Sequence, residues 1–128
     1  MFIDFDRDIP IYEQIIRQII QGIAQGELHP GDTLPSIRNL AEDIGVNLHT
    51  VNKAYKILRE KGYVKMDKRK GAQIANTFPP FSETELKVRE TDLTYWIADG
   101  LNRGLTQEKM VTLFKEMILT YKGDVNND

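Results

Sequence analysis

Eight cationic side chains crowd into one short stretch of this chain. Between Asn47 and Gly71 stand Lys53, Lys56, Arg59, Lys61, Lys65, Lys68, Arg69 and Lys70 against only Glu60 and Asp67, a local net charge of +6. The residues before Asn47 carry a net −5 and those after Gly71 a net −3, so the overall charge of −2 conceals a basic block between two acidic regions. Charge confined in this way is the footprint of an anion-binding face, and a polyphosphate backbone is the anion that such a block suits.

Polar groups able to address base edges are interleaved with these cations. In "GVNLHTVNKAYKILREKG", Val51, Ala54, Tyr55 and Leu58 recur at the i, i+3, i+4, i+7 spacing of a buried helical stripe. At 100° per residue that turns His49, Asn52, Lys53 and Lys56 outward. A major groove admits one α-helix, asparagine can pair two ways with adenine, and lysine can address guanine or phosphate. Thr50, in the first turn, can bond a phosphate beside the helix N-terminal amides or serve as a local cap partner. A polar stripe alone is an ordinary solvated face. Here a tight turn precedes the helix, a hairpin candidate follows it, and the positive charge is confined to both.

Other chemistry has little to work with. The chain has no Cys, and its two histidines, His29 in a Pro-Gly turn and His49 on a helix, lack partners at metal-ligand spacing. No phosphate loop or nucleophile motif occurs, so neither an enzyme nor a cofactor or metal is expected. Apolar runs stop far short of the roughly 20 residues that span a bilayer. Met1–Pro10 holds three aspartates and no apolar signal core, so a cytoplasmic protein is expected, with no membrane partner.

The elements that must position the block follow from periodicity and punctuation. Pro10, with Asp8 as a candidate cap, opens a first helix whose isoleucines 11, 15, 19 and 23 repeat every four residues to near Gly26. "ELHPGDTLPS" reads as loop or turn, after which Ser36 caps a second helix that Gly45 stops. Asn47 caps the third helix, Leu48 to Lys61. "YVKM" and "AQIA" then form strand candidates joined by "DKRKG", a hairpin whose tip Lys68, Arg69 and Lys70 would reach a backbone or a minor groove. The order is that of a winged helix-turn-helix, with a boundary over Thr77 to Phe81, where Pro79 and Pro80 break the periodicity.

Beyond it, Ser82 and Glu85 make a capping box for a helix through about Asn102, and Thr106 caps a last helix after Gly104. Two helices cannot bury both their faces alone, so self-association through Leu93, Trp96, Ile97, Leu101, Met110, Leu113, Phe114 and Met117 is expected. Tyr95 and Trp96 are read as core or interface, with a small ligand pocket as the alternative. The tail "GDVNND" has nothing to anchor it and is expected to fray. The fold class expected is mainly α with a small β-hairpin: a winged helix-turn-helix at 1–77, then a two-helix dimerisation region at 78–128.

The stretch "GDTLPSIRNLAEDIGVNLHTVNKAYKILREKGYV", Gly31 to Val64, resembles the GntR family of bacterial transcription regulators. Leu34, Pro35, Ser36, Arg38, Leu40, Ala41, Gly45, Val46, Thr50, Val51, Ala54, Leu58, Gly62 and Val64 match its pattern in register. The short C-terminal part is similar to the YtrA-like branch, whose members have short helical dimerisation domains. The resemblance implies that Arg38 contacts backbone or guanine and that the Thr50 region reads bases. Leu48 and Asn52 stand where many members carry arginine, and Arg69 replaces the first glycine of the usual wing pair while Gly71 keeps the second.

The expected DNA-contacting set is therefore Ser36, Arg38, Asn47, His49, Thr50, Asn52, Lys53, Lys56, Lys68, Arg69, Lys70 and Gly71. The expected partners are an inverted-repeat operator in double-stranded DNA and a second copy of the chain, acting as a repressor. The sequence assigns no small-molecule effector. A winged helix that docks a protein partner without specific DNA binding is the alternative.

Overall fold

A computed structural model of the chain describes residues 1–122 and divides into two compact units, Met1–Pro79 and Pro80 onward. The tail at 123–128, expected to fray, lies outside the described residues.

In the first unit, α1 (Ile11–Ala24) buries Ile15, Ile16 and Ile19. Asp8 does not cap it. Pro10 occupies the cap position, where its ring fixes φ at −54° and offers no side-chain acceptor. Gln14 instead ties down the preceding segment. Its buried amide donates to the carbonyls of Asp4 (2.8 Å) and Ile9 (2.9 Å) and accepts from the Asp4 N–H (2.9 Å).

The next two helices are α2 (Ile37–Ile44) and α3 (Leu48–Glu60). Ser36 caps α2 by accepting from the Asn39 N–H at 3.1 Å, and Asn47 caps α3 by accepting from the His49 N–H at 2.7 Å. Gly45 between them sits at φ 69°, a left-handed conformation open to glycine at little strain, which permits so tight a turn. α3 packs against both α1 and α2, and its Val51, Ala54, Tyr55 and Leu58 complete one core with the α1 isoleucines, Leu40 and Ala41. Burying each large side chain fully contributes about 1.5–3 kcal/mol, so this stripe holds α3 in place.

The hairpin pairs β1 (Val64–Asp67) with β2 (Gly71–Ile74), Val64 opposite Ile74 and Asp67 opposite Gly71. Both strands lie one residue nearer the tip than expected, so that Asp67 and Gly71, read as part of the connection, pair with each other, while the register is the expected one. The stretch read as plain loop also departs from expectation, because it forms a third edge on β2. Thr33 bridges Gln73, the Leu34 N–H donates to the Ala72 carbonyl (2.8 Å), and the Ile74 N–H donates to that of Asp32 (2.8 Å). Beyond the hairpin, Phe78 packs on Tyr63 with ring centroids 4.9 Å apart, which carries the unit past Thr77 to Pro79.

In the second unit, α4 (Glu83–Asn102) opens on the expected capping box between Ser82 and Glu85. The Thr106 hydroxyl accepts from the Lys109 N–H at 3.1 Å at the start of α5 (Gln107–Lys122). The two helices meet at a corner where Gly100 is buried against Met110 and Leu105; a Cβ at Gly100 would lie 2.6 Å from the Met110 Cε. Met110, expected at a subunit interface, is thus buried within its own chain, and Leu113 is half-buried. Leu93, Trp96, Ile97, Leu101, Phe114 and Met117 remain exposed. Among the described residues no helix is long and apolar enough to cross a membrane.

Candidate nucleic-acid interface

The core stripe of α3 decides what its other side presents. With Val51, Ala54, Tyr55 and Leu58 inward, His49, Asn52, Lys53 and Lys56 are exposed. Thr50 is half-buried, and its N–H is committed to the Asn47 carbonyl at 3.0 Å. Thr50 is thus tied through its backbone to Asn47, the residue that caps the helix. Ser36 and Asn47 both spend a side-chain oxygen on capping, so their structural duty is to start α2 and α3.

Arg38 is exposed on α2. The position of α2 against α3 is fixed by a bond that the sequence did not announce: the Tyr55 hydroxyl donates to the Pro35 carbonyl at 2.7 Å. Burial of Tyr55 pushes its pKa from the ordinary 10.0 up to about 12, so the phenol stays a donor across the neutral range.

The wing tip is shaped by Asp67. Its Oδ1 accepts from the N–H groups of Arg69 (2.8 Å) and Lys70 (2.9 Å), folding the turn so that Lys68, Arg69 and Lys70 are all exposed. The Lys70 and Arg69 N–H bonds hold the Asp67 carboxyl below its usual range against a smaller opposing desolvation, and the charges of Lys70 and Lys65 add to the lowering. Gly71 closes the turn at φ 78°.

Pairing separates the basic block from three arginines elsewhere in the chain. Arg17 bonds Glu13 at 3.1 Å, Arg103 bonds Asp99 at 3.0 Å and Arg89 reaches Asp92 at 3.5 Å. Among the described residues, neither Arg38 nor any of the eight bases between Asn47 and Gly71 lies within 4.0 Å of a carboxylate. Lys53 has a different neighbour: its Nζ lies 4.0 Å from the centroid of the Tyr12 ring on α1. Exposed cations without internal partners keep their charge available to an external anion. Tyr12 and Tyr55 escaped the sequence reading because their partners lie on other elements, which no spacing rule reports, whereas the Asp67 turn is local and the aspartate two and three residues before Arg69 and Lys70 was its available signal.

Two helices joined by a glycine turn, with an exposed polar face on the second and a cationic hairpin after it, define a winged helix-turn-helix protein. Residues 11–74 match the family model described as bacterial regulatory proteins, gntR family. The chain belongs to this family, a family of regulators and not of enzymes. It is 36% identical over 127 residues to the HTH-type transcriptional repressor YtrA of Bacillus subtilis, covering 98% of each chain. It also superposes on a transcriptional antiterminator from Listeria monocytogenes with a TM-score of 0.83 and 35% identity, over 91% of this chain and 88% of that one. A third match is AraR(DBD) in complex with an operator, with a TM-score of 0.51 and 26% identity over 59% of this chain and 99% of that one.

Proposed function

We propose that this protein is a sequence-specific transcription repressor that acts in the cytoplasm as a homodimer on an inverted-repeat operator. The observation that carries the DNA reading is the set of exposed, internally unpaired cations on α3 and the wing, in a chain whose other arginines include three held in ion pairs. In this reading α3 enters the major groove, with His49, Asn52 and Lys56 toward base edges and Arg38, Thr50, Lys68, Arg69 and Lys70 toward phosphates.

Self-association is supported by the second unit. Leu93, Trp96, Ile97, Leu101, Phe114 and Met117 are all more than two-fifths exposed, on helices too few to cover them. A second copy is the occupant that suits this surface, because a two-fold interface buries the same patch twice. Two heads held in this way would place their recognition helices in successive major grooves, roughly 34 Å apart, on a palindromic site. The relative of similar length is named a repressor, which supports the direction of regulation.

An electrophoretic shift series on the chain's own promoter tests the proposal. Nanomolar binding that survives excess competitor DNA is expected. Binding that competitor removes completely would leave the winged helix as a protein-docking module.

A further inference from the structure

Tyr12 carries no polar contact to the basic block, yet it supports one of its members. The Lys53 ammonium lies 4.0 Å from the centroid of its ring, within the range at which the electron-rich face attracts a cation. Tyr12 is half-buried against the core, so the ring is a fixed platform, while Lys53 stays exposed. A lysine has a long flexible stem whose freedom is lost when it binds a phosphate, and a platform that restricts the stem beforehand reduces that loss. The ring covers one side of the ammonium, and the N–H donors on its other sides stay open.

The same contact gives Lys53 a direction. On α3 it lies on one side of His49, Lys56 and Asn52, about 40–100° round the helix axis from them, and its ammonium leans away from them onto the Tyr12 ring of α1. A helix seated in a major groove turns its outward stripe to the base edges, and a side chain that leans out of that stripe toward a neighbouring helix points to the bordering backbone.

We propose that Tyr12 is a positioning residue that holds Lys53 for a phosphate beside the groove, so that Lys53 adds affinity without base preference. The inference rests on the DNA-binding reading above. It narrows the role of Lys53, whose residue type alone suits guanine and phosphate equally.

The test titrates wild type, Lys53→Ala, Tyr12→Ala, Tyr12→Phe and the Lys53→Ala/Tyr12→Ala double variant with two duplexes over a salt series. One duplex is the chain's own promoter fragment and the other has random sequence. Lys53→Ala is expected to weaken both by the same factor, on the order of tenfold per head at about 50 mM salt, and to flatten the salt slope by about 0.9 per head. Tyr12→Phe keeps the ring face and should bind like wild type. Tyr12→Ala should lose about two- to fivefold, a loss that vanishes when Lys53 is already alanine. Tyr12→Leu retains apolar volume without the ring face, and it replaces Tyr12→Ala in the cycle if melting shows the alanine variant unfolded.

Several results would overturn the inference while leaving the DNA reading intact. They are a Lys53→Ala variant that narrows the preference for promoter over random DNA, a Tyr12→Ala loss that persists in the double variant, tighter binding by Tyr12→Ala, and a Tyr12→Phe loss as large as that of alanine. A wild-type protein that binds neither duplex at any salt would overturn both.

Discussion

Replacing Tyr55 by phenylalanine removes one hydroxyl and leaves the buried ring, so the effect isolates the bond to Pro35. That bond is 2.7 Å long and links the middle of α3 to the residue before the α2 cap. A neutral hydrogen bond contributes about 0.5–1.5 kcal/mol net, and a carbonyl stranded in the interior adds to the loss. Pro35 is itself exposed, so water can replace the lost donor, and the expected destabilisation is about 1–1.5 kcal/mol. For a unit of this size that lowers the melting temperature by about 5–10 °C.

Thermal melting of the full chain followed by circular dichroism reads this, with Tyr63→Phe as a control. Tyr63 stacks on Phe78 without a hydroxyl bond among the described residues, and its variant should melt close to wild type. Amides of Ile37–Ile44 should exchange faster in Tyr55→Phe, because α2 loses its tie to α3.

The pH dependence supplies a second check. The pKa of Tyr55 is raised from 10.0 to about 12 in the fold, so the unfolded chain loses this proton first as pH rises. The stabilisation is complete below the unfolded value and disappears between the two. Wild type should therefore lose its advantage over Tyr55→Phe as pH climbs from 10 to 12. Equal melting of the two proteins at neutral pH, or a gap that stays constant through this window, would refute the reasoning.

Three further outcomes follow from the same geometry. Arg38→Ala and Lys56→Ala should each weaken promoter binding on the order of tenfold at low salt while melting like wild type, since both side chains are exposed; unchanged binding in both would remove them from the interface. Truncation after Pro79 should give a monomer by analytical ultracentrifugation and reduce operator affinity by on the order of a hundredfold through lost avidity; a dimer that persists would move the interface to the first unit. Asp67→Asn keeps the acceptor for the Arg69 and Lys70 N–H groups but removes a negative charge from the wing tip, so it should bind DNA more tightly than wild type and than Asp67→Ala. Equal titration midpoints for Asn and Ala would show that the turn does not matter to binding.

The helices were legible because their signals are local. A four-residue repeat, a serine or asparagine cap and a stopping glycine act within one or two turns, and Ser36, Gly45, Asn47, Ser82 and Thr106 stand where such rules place them. The Asp8 reading failed because proline can itself occupy the cap position, its missing N–H being no loss there. The Thr33 bridge was invisible for a different reason: strand pairing satisfies backbone groups, and a short loop acquires a partner only when a distant edge arrives beside it.

The candidate site divides along the same line. The amino-acid order by itself determined which residues of α3 face the core and which face away, and it gathered eight of the seventeen cations between Asn47 and Gly71, because helical periodicity and charge are properties of the local chain. Tertiary structure alone decided how those groups are held. It set Lys53 on Tyr12, tied Tyr55 to Pro35 and enclosed Met110 beside Gly100. Each of these contacts joins residues whose approach depends on how separate elements pack, and packing is settled by the shapes of both partners together.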